Sequence, residues 1–233
     1  IRLSLVGSEM CIRDSAEMLR RADAALFVNG IGEIGLSALK IALNAGIPVA
    51  GLHEPHPKAG LLQLATRLGL GRSPDVGFDE ATSTIRVMDQ TIPVLQAWPE
   101  SGQPVASPSH ERVIVLDCSG FEYTRARADF FRSAGASAVF FSGPGATADE
   151  RKHIPLLLHG VTLDRMTAGT RVGSMGSCTT NSVVAPIVAL HEAFGVAGGL
   201  MTSVHSATNS DSACDTWSSR GILDALGKPG GSG

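Results

Sequence analysis

Cys178 is the side chain of this sequence whose setting best suits covalent chemistry. It stands in Gly-Ser-Cys-Thr-Thr-Asn at 176–181, directly before an apolar, helix-like run at 182–194. At the start of a helix, the backbone N–H groups and the helix dipole favour a thiolate. The neighbouring hydroxyls can cap that helix, and the same N–H groups suit an anion. We interpret Cys178 as a candidate nucleophile; the alternative is a buried cysteine that behaves as a small hydrophobic residue.

A glycine-rich turn upstream predicts a nucleotide-binding loop. An apolar run at 24–28 is followed by Asn-Gly-Ile-Gly-Glu-Ile-Gly at 29–35, and then by a helical pattern that ends at 44–46. Between a strand and a helix, the first glycine permits a tight turn and the second lets a pyrophosphate approach the backbone. The third glycine lets the helix pack closely on the strand.

An acidic residue follows the next apolar run, at 47–52. Glu54 lies about 20 residues beyond the last glycine, where a carboxylate binds the ribose hydroxyls of adenosine. A carboxylate at this position would repel a 2′-phosphate, so the pattern favours NAD over NADP. The alternative is a solvated loop glutamate beside a chance glycine pattern.

Strands that alternate with helices would position these groups. Apolar patterns predict strands at 112–117 and 136–141 in addition to the two above, and a hairpin formed by 85–87 and 92–95. Helices are predicted at 34–43, 58–70 and 125–133. We therefore expect an α/β fold with a doubly wound, Rossmann-like parallel sheet, followed by the start of an α+β catalytic domain. Ligands of such sheets lie over the carboxyl ends of the strands, so the turns at Ser119-Gly120 and Ser142 are expected to border the cofactor.

A further strand, predicted at 200–204, would deliver His205 into the polar tract at 205–211. A single histidine after a strand is more often structural or solvent-exposed than catalytic. The other histidines stand in no motif of their own.

Composition excludes several classes of function. The chain has 233 residues, 18% charged and 43% hydrophobic, with a net charge of -3. This charge gives no electrostatic reason to expect a nucleic acid or an anionic membrane as a partner. The four cysteines form no CxxC or metal-finger spacing, so no metal is expected, and so few cysteines favour reduced thiols and a cytoplasmic location. The longest uncharged run, 172–190, is too rich in polar residues for a membrane span.

The first 15 residues are a special case. Residues 1–15 lack the long apolar core of a signal peptide and resemble translated sequencing-adapter read-through. We expect an artefactual or disordered N-terminus and exclude it, with Cys11, from the functional argument.

Together these motifs resemble those of the phosphorylating glyceraldehyde-3-phosphate dehydrogenases. The resemblance rests on 29–35, on Ser-Cys-Thr-Thr-Asn at 177–181 and on Leu-Met-Thr-Ser-Val-His at 200–205, and covers roughly 24–215. The pentapeptide is highly specific, whereas the glycine motif is not. The resemblance implies an NAD-binding domain at 22–177 and an incomplete catalytic domain at 178–233.

The resemblance also implies a reaction and a set of roles. Glyceraldehyde 3-phosphate would be oxidised, with NAD and inorganic phosphate, to an acyl phosphate. Cys178 would carry the thiohemiacetal and the thioester, and His205 would act as the base. Positions that match substrate- and phosphate-binding residues are Ser177, Thr179 and Thr208. Positions that match or line the cofactor site are Asn29, Gly30, Ile31, Gly32, Ile34, Glu54, Ser119, Gly120 and Ser142. The family further implies a homotetramer.

Some positions depart from the family pattern. Glu33 replaces the usual arginine of the glycine motif and places an anion near the pyrophosphate. Glu54 replaces the usual aspartate, and Ser-Asp-Ser at 210–212 lacks a lysine. The family's substrate domain continues far beyond Asp215, and residues 216–233 do not match the expected continuation, so we expect a truncated catalytic domain.

Other hypotheses remain open at this point. Erythrose 4-phosphate is a close rival as the substrate. A divergent or non-catalytic NAD-binding paralogue would keep the glycine motif without the chemistry. A cysteine hydrolase could use the same Cys-His pair, but it would leave the glycine motif without a role.

Overall fold

The computed structural model describes residues 17–57, 76–87, 90–98, 105, 107, 109–163, 166–167 and 169–204. The helix predicted at 58–70 lies outside these residues, as do His205 and Thr208. The strands are β1 (Ala24–Asn29), β2 (Val49–His53), β3 (Val76–Asp79), β4 (Thr84–Val87), β5 (Gln90–Leu95), β6 (Arg112–Asp117), β7 (Ala138–Phe141) and β8 (Val172–Ser174). The helices are α1 (Glu33–Asn44), α2 (Arg125–Ser133), α3 (Ala148–His153) and α4 (Cys178–Phe194).

The strands form one sheet with the order β3-β4-β5-β2-β1-β6-β7-β8. The six strands from β5 to β8 in this order pair in parallel, and β3, β4 and β5 pair antiparallel. Numbered among themselves, the parallel strands run 3-2-1-4-5-6, the order of dinucleotide-binding folds. The predicted α/β sheet is confirmed, and so is the hairpin, which the structure forms from β4 and β5.

The central strand β1 is buried on both faces, which explains its unbroken apolar run. Because successive side chains of a strand point to opposite faces, Phe27 and Val28 enter different cores. Val28 packs in a cluster with Leu36 and Leu39 of α1. Phe27 packs in a second cluster with Phe131 of α2.

Helix α1 confirms the predicted helix but not all of its predicted apolar face. Ile34 and Ile41 are about half exposed, at 56% and 51%. The helical repeat of 3.6 residues places a different set of side chains toward the sheet. The buried residues of α1 are Gly35, Leu36, Leu39, Ala42 and Leu43.

The three glycines of the β1–α1 turn meet different constraints. Gly30 has φ +87, and a Cβ there would lie 2.9 Å from Cα of Ser119. A Cβ on Gly35 would collide with the carbonyl oxygen of Gly30. Gly32 has an ordinary φ of -70, and a Cβ there would meet nothing within 4 Å. The fold itself therefore requires glycine at 30 and 35, whereas nothing inside the described protein requires it at 32.

The chain divides into two units, Ile1–Phe194 and Gly195–Gly233. The second is described only at 195–204, and the strand predicted at 200–204 is wrong: this segment has no regular structure, and Leu200 and Val204 are fully exposed. A strand needs a neighbour for its backbone hydrogen bonds, and no described residue pairs with this segment. This division gives no boundary at 177/178, so the predicted domain limits stay a prediction.

Helix α4 is the last element of the first unit, and none of its residues is fully buried. Its apolar side chains Ile187, Leu190 and Phe194 are exposed. Within the described part of the chain, no helix combines the length and the apolar character needed to cross a membrane.

Substitution of Gly35 tests the packing of α1 on β1. We expect Gly35→Ala to lower the free energy of unfolding by about 2 kcal/mol, because the collision with the Gly30 carbonyl outweighs a gain in helix propensity of about 1 kcal/mol. Urea unfolding followed by circular dichroism measures the change. Gly32→Ala is the matched control, with an expected loss below about 1 kcal/mol, the cost of alanine at an N-cap. Equal stability of Gly35→Ala and the wild type would contradict the observed packing.

Candidate active site

The predicted cofactor residues lie at the carboxyl ends of four neighbouring parallel strands. Those at the end of β1 and the start of α1 are Asn29, Gly30, Ile31, Gly32 and Ile34. Glu54 directly follows β2, Ser119 and Gly120 follow β6, and Ser142 follows β7. The order β2-β1-β6-β7 therefore brings all of them to one edge of the sheet.

Hydrogen bonds join the glycine loop to both neighbouring strands. The Gly30 N–H donates to the His53 carbonyl at 3.0 Å, and the Cys118 N–H donates to the Asn29 carbonyl at 2.8 Å. The Ile31 N–H donates to Oε2 of Glu54 at 3.4 Å. The other carboxylate oxygen of Glu54 accepts from the His56 N–H at 2.9 Å. The carboxylate is thus held beside the loop, as ribose recognition requires.

An aromatic stack supports the end of β2. The imidazole of His53 stacks on Trp98 with ring centroids 4.6 Å apart. Burial lowers the pKa of His53, although the nearby Glu54 carboxylate acts in the opposite direction. His53 is therefore a neutral ring at pH 7, and it packs against Trp98 rather than adding charge beside Glu54.

The loop fits the pyrophosphate of a dinucleotide. A Cβ on Gly32 would point into open space, so the backbone there is accessible to a ligand and no internal contact explains the glycine. Gly32 is also the N-cap of α1, without a side-chain cap, and the N–H groups of a first helical turn can bind an anion. Glu33 lies in the same turn and adds a negative charge that opposes a bound phosphate.

An ion pair beside this loop, between a buried carboxylate and a half-buried arginine, was missed by sequence reasoning. Asp117, the last residue of β6, is fully buried, and its Oδ2 pairs with Nε of Arg127 from α2. Its Oδ1 accepts from Nδ2 of Asn29 at 2.7 Å. The same oxygen accepts from the N–H of Ser119 at 3.1 Å and from its hydroxyl at 2.7 Å. The sequence offers only one signal for this ion pair, an acidic residue at the end of an apolar strand. Its partner, Arg127, lies on a separate helix and is not identifiable from the sequence pattern.

This network commits the hydroxyl of Ser119 to internal contacts. The hydroxyl donates to Asp117 and accepts from Nη2 of Arg127 at 3.0 Å and from the Phe121 N–H at 3.5 Å. Ser119 can therefore border a ligand, but its hydroxyl is already fully bonded. By contrast, Oδ1 of Asn29 is buried and has no hydrogen-bond partner among the described residues. Such an atom costs about 1–3 kcal/mol unless a donor meets it.

Tyr123 connects the turn after β7 to the turn after β6. Its hydroxyl lies 3.1 Å from Oγ of Ser142 and accepts from the Gly120 N–H at 3.1 Å. Burial raises the pKa of Tyr123. Burial also raises the pKa of Cys118 to about 11, and a hydrogen bond with Ser142 opposes this shift only in part. Tyr123 and Cys118 are therefore neutral, structural groups at pH 7.

The candidate nucleophile lies after β8, at the first residue of α4. Ser177 caps the helix: its hydroxyl accepts from the Thr180 N–H at 3.0 Å. Nδ2 of Asn181 donates to the Met175 carbonyl at 2.7 Å and so ties the first turn back to the chain that leaves β8. Cys178 is exposed in this setting. The predicted capping and helix start are therefore confirmed.

The other predicted substrate residues are only partly placed. Thr179 is half-buried in the first turn of α4. His205 and Thr208 lie outside the described residues, so their roles stay predictions. Within the described ranges, no group of three or more His, Cys, Asp and Glu side chains could hold a metal ion.

The contrast between the two described cysteines can be measured by alkylation. At pH 8, a thiol with a pKa of about 11 is ionised in about one molecule in a thousand. We expect iodoacetamide to modify exposed Cys178 at least about 100-fold faster than Cys118, because only the thiolate reacts. The rate at Cys118 should rise about tenfold per pH unit between pH 8 and pH 10. Peptide mass spectrometry reads each site separately.

The control for this measurement is the same protein in urea, where both thiols should react at similar rates. Modification of Cys118 as fast as Cys178 in the native protein would show that Cys118 is not shielded as the structure has it.

Comparison with known families gives an independent match. Residues 177–225 match the family model described as glyceraldehyde 3-phosphate dehydrogenase, C-terminal domain. The match begins at Ser177, the cap of α4, and runs to residue 225, beyond Asp215, where the motif resemblance ends. The expectation that residues 216–233 do not match the family's continuation is therefore wrong for 216–225. The match includes Cys178 and the first turn of α4, and it follows a sheet with the strand order of dinucleotide-binding folds. Residues 177–225 are therefore similar to the C-terminal domain of the glyceraldehyde-3-phosphate dehydrogenases, a family of oxidoreductases.

Proposed function

We propose that this chain serves an NAD-dependent, phosphorylating oxidation of glyceraldehyde 3-phosphate to an acyl phosphate in the cytoplasm. One observation carries the proposal. A dinucleotide-type loop with Glu54 against it, and Cys178 at a capped helix start, belong to the same unit of the protein. The family match at 177–225 covers the cysteine segment. The homotetramer implied by the resemblance is part of the proposal.

The residues of the sheet edge would hold NAD. The first turn of α1 and the open space at Gly32 suit the pyrophosphate, and Glu54 suits the ribose hydroxyls. The Glu54 carboxylate would repel a 2′-phosphate, which favours NAD over NADP. Bound NAD supplies the hydride acceptor for the oxidation.

Cys178 would carry the substrate through covalent catalysis. Its Sγ adds to the aldehyde carbonyl carbon to form a thiohemiacetal, and after oxidation it holds the acyl group as a thioester. Inorganic phosphate then attacks the carbonyl carbon, the C–S bond breaks, and the acyl phosphate leaves. His205 is proposed to take up the thiol proton. Ser177, Thr179 and Thr208 are proposed to bind the phosphate groups, and the hydroxyl of Ser177 also caps α4.

Two observations favour a second candidate, an NAD-binding relative without catalysis. Glu33 places a negative charge in the turn that would meet the pyrophosphate. Helix α4, which carries Cys178, buries none of its residues. Catalysis needs the nucleophile held in place, and a helix with no fully buried side chain provides less such support than a helix packed in a core.

NAD binding is tested with Gly32→Ala. The added methyl would occupy the open space of the loop while leaving the fold intact. We therefore expect the Kd for NAD to rise about tenfold or more, because the loss of about 1.4 kcal/mol of binding free energy raises Kd tenfold. Isothermal titration calorimetry gives the Kd, and urea unfolding gives the stability of the same variant. Unchanged affinity would contradict placement of the pyrophosphate at Gly32.

The covalent chemistry is tested with Cys178→Ser. We expect NADH formation from glyceraldehyde 3-phosphate, NAD and phosphate to fall at least about 1,000-fold, because a serine hydroxyl is a far weaker nucleophile than a thiolate. Absorbance at the NADH band follows the reaction. Ser182→Ala is the matched control, since that hydroxyl bonds only the Thr179 carbonyl of its own helix at 3.0 Å among the contacts described.

Three outcomes separate the candidates. Turnover that survives Cys178→Ser overturns the covalent mechanism. NAD binding by the wild type without any NADH formation supports the non-catalytic relative. Esterase activity that needs no NAD would support a cysteine hydrolase.

A further inference from the structure

The amide of Asn29 is oriented by the ion pair of Asp117 and Arg127. A carboxylate oxygen only accepts hydrogen bonds, so the atom of Asn29 that faces Oδ1 of Asp117 at 2.7 Å is the amino group. This orientation leaves Oδ1 of Asn29 as the acceptor without a partner among the described residues, in a side chain that is 1% exposed.

Arg127 is itself fixed from several sides. Its Nε pairs with Asp117, and its Nη2 donates to the Ser119 hydroxyl at 3.0 Å. Its guanidinium carbon lies 5.3 Å from the ring centre of Phe131 and 5.9 Å from that of Phe121. A planar guanidinium held at two nitrogens and against two rings keeps the Asp117 carboxylate in one position.

The acceptor Oδ1 of Asn29 can be satisfied only by a hydrogen-bond donor. Phosphate oxygens accept hydrogen bonds, so the pyrophosphate of a dinucleotide does not satisfy Oδ1 of Asn29. A ribose hydroxyl is a donor and does satisfy it. Asn29 is the last residue of β1 and immediately precedes Gly30, at the start of the loop that would bind the dinucleotide.

We propose that Arg127 is a positioning residue for the cofactor: through Asp117 it holds the Asn29 amide with its oxygen presented to a ribose hydroxyl of the bound dinucleotide. The inference rests on the proposed function and adds the chemical group that Asn29 recognises. Arg127 needs no contact with the cofactor in this arrangement. Its effect on binding passes through the orientation of one amide.

A double-mutant cycle on NAD affinity tests the inference. We expect Asn29→Ala and Arg127→Met each to raise the Kd for NAD about tenfold, the value of one hydrogen bond. Because both act on the same contact, the double variant should also lose about tenfold rather than about a hundredfold. Calorimetry on the full chain measures all four proteins, and urea unfolding records their stability separately. Arg132→Met is the matched control, since Arg132 lies on the same helix and forms an exposed pair with Asp129.

If Arg127→Met does not fold, a second variant, Asp117→Asn, tests the same inference. Asp117→Asn keeps the side-chain shape but can present either an amino group or an oxygen, so the Asn29 amide is free to reverse. We expect Asp117→Asn to weaken NAD binding about tenfold and to add nothing to Asn29→Ala.

The outcomes divide as follows. Non-additive losses with an unaffected Arg132→Met support the positioning role. A loss of about a hundredfold in the double variant, or full affinity in Arg127→Met, overturns it and leaves Arg127 a structural residue. Absence of NAD binding by the wild type overturns the proposed function itself, and the inference with it.

Discussion

The carboxyl edge of this sheet depends on the neutralisation of one buried charge. Asp117 ends β6 with no exposure to solvent, and burial of an unpaired carboxylate is strongly unfavourable. Arg127 compensates the charge, while Asn29 and Ser119 occupy the remaining acceptor positions. These contacts join the ends of β1 and β6 to α2. The point where the chain changes from one face of the sheet to the other is thereby held as one polar cluster, next to the glycine loop.

The two halves of the proposed site are supported in different ways. The dinucleotide loop is joined to β2 and β6 by backbone bonds, and Gly30 lies so close to Ser119 that no side chain fits between them. The bonds described around Cys178 are local, namely the Ser177 cap and the Asn181 amide. The loop is therefore positioned by the sheet, whereas the described contacts position the cysteine through its own helix turn.

Prediction and structure agree best for features that depend on interactions between residues close in the chain. Six strands (β1, β2, β4, β5, β6 and β7) and the helices α1 and α2 were predicted, because their apolar patterns and turns are local properties, whereas β3, β8 and α3 were not predicted. The strand at 200–204 was wrong, since a strand exists only with a partner and an apolar run does not show whether one is present. For the candidate site, sequence reasoning identified the positions along the carboxyl edge. It attributed a contact role to Ser119, however, without showing that its hydroxyl is already bonded inside the protein.

The sequence by itself determined the glycine turn, the acidic residue after β2 and the capped start of α4. Each depends on backbone angles and hydrogen bonds among residues that are close in the chain. Only the tertiary structure decided that Arg127 meets Asp117, ten residues earlier, because that contact requires a helix to pack on the sheet. It also decided that Cys118 is a shielded thiol and Cys178 an exposed one. Burial depends on which elements cover a residue, and that covering is a property of the folded chain.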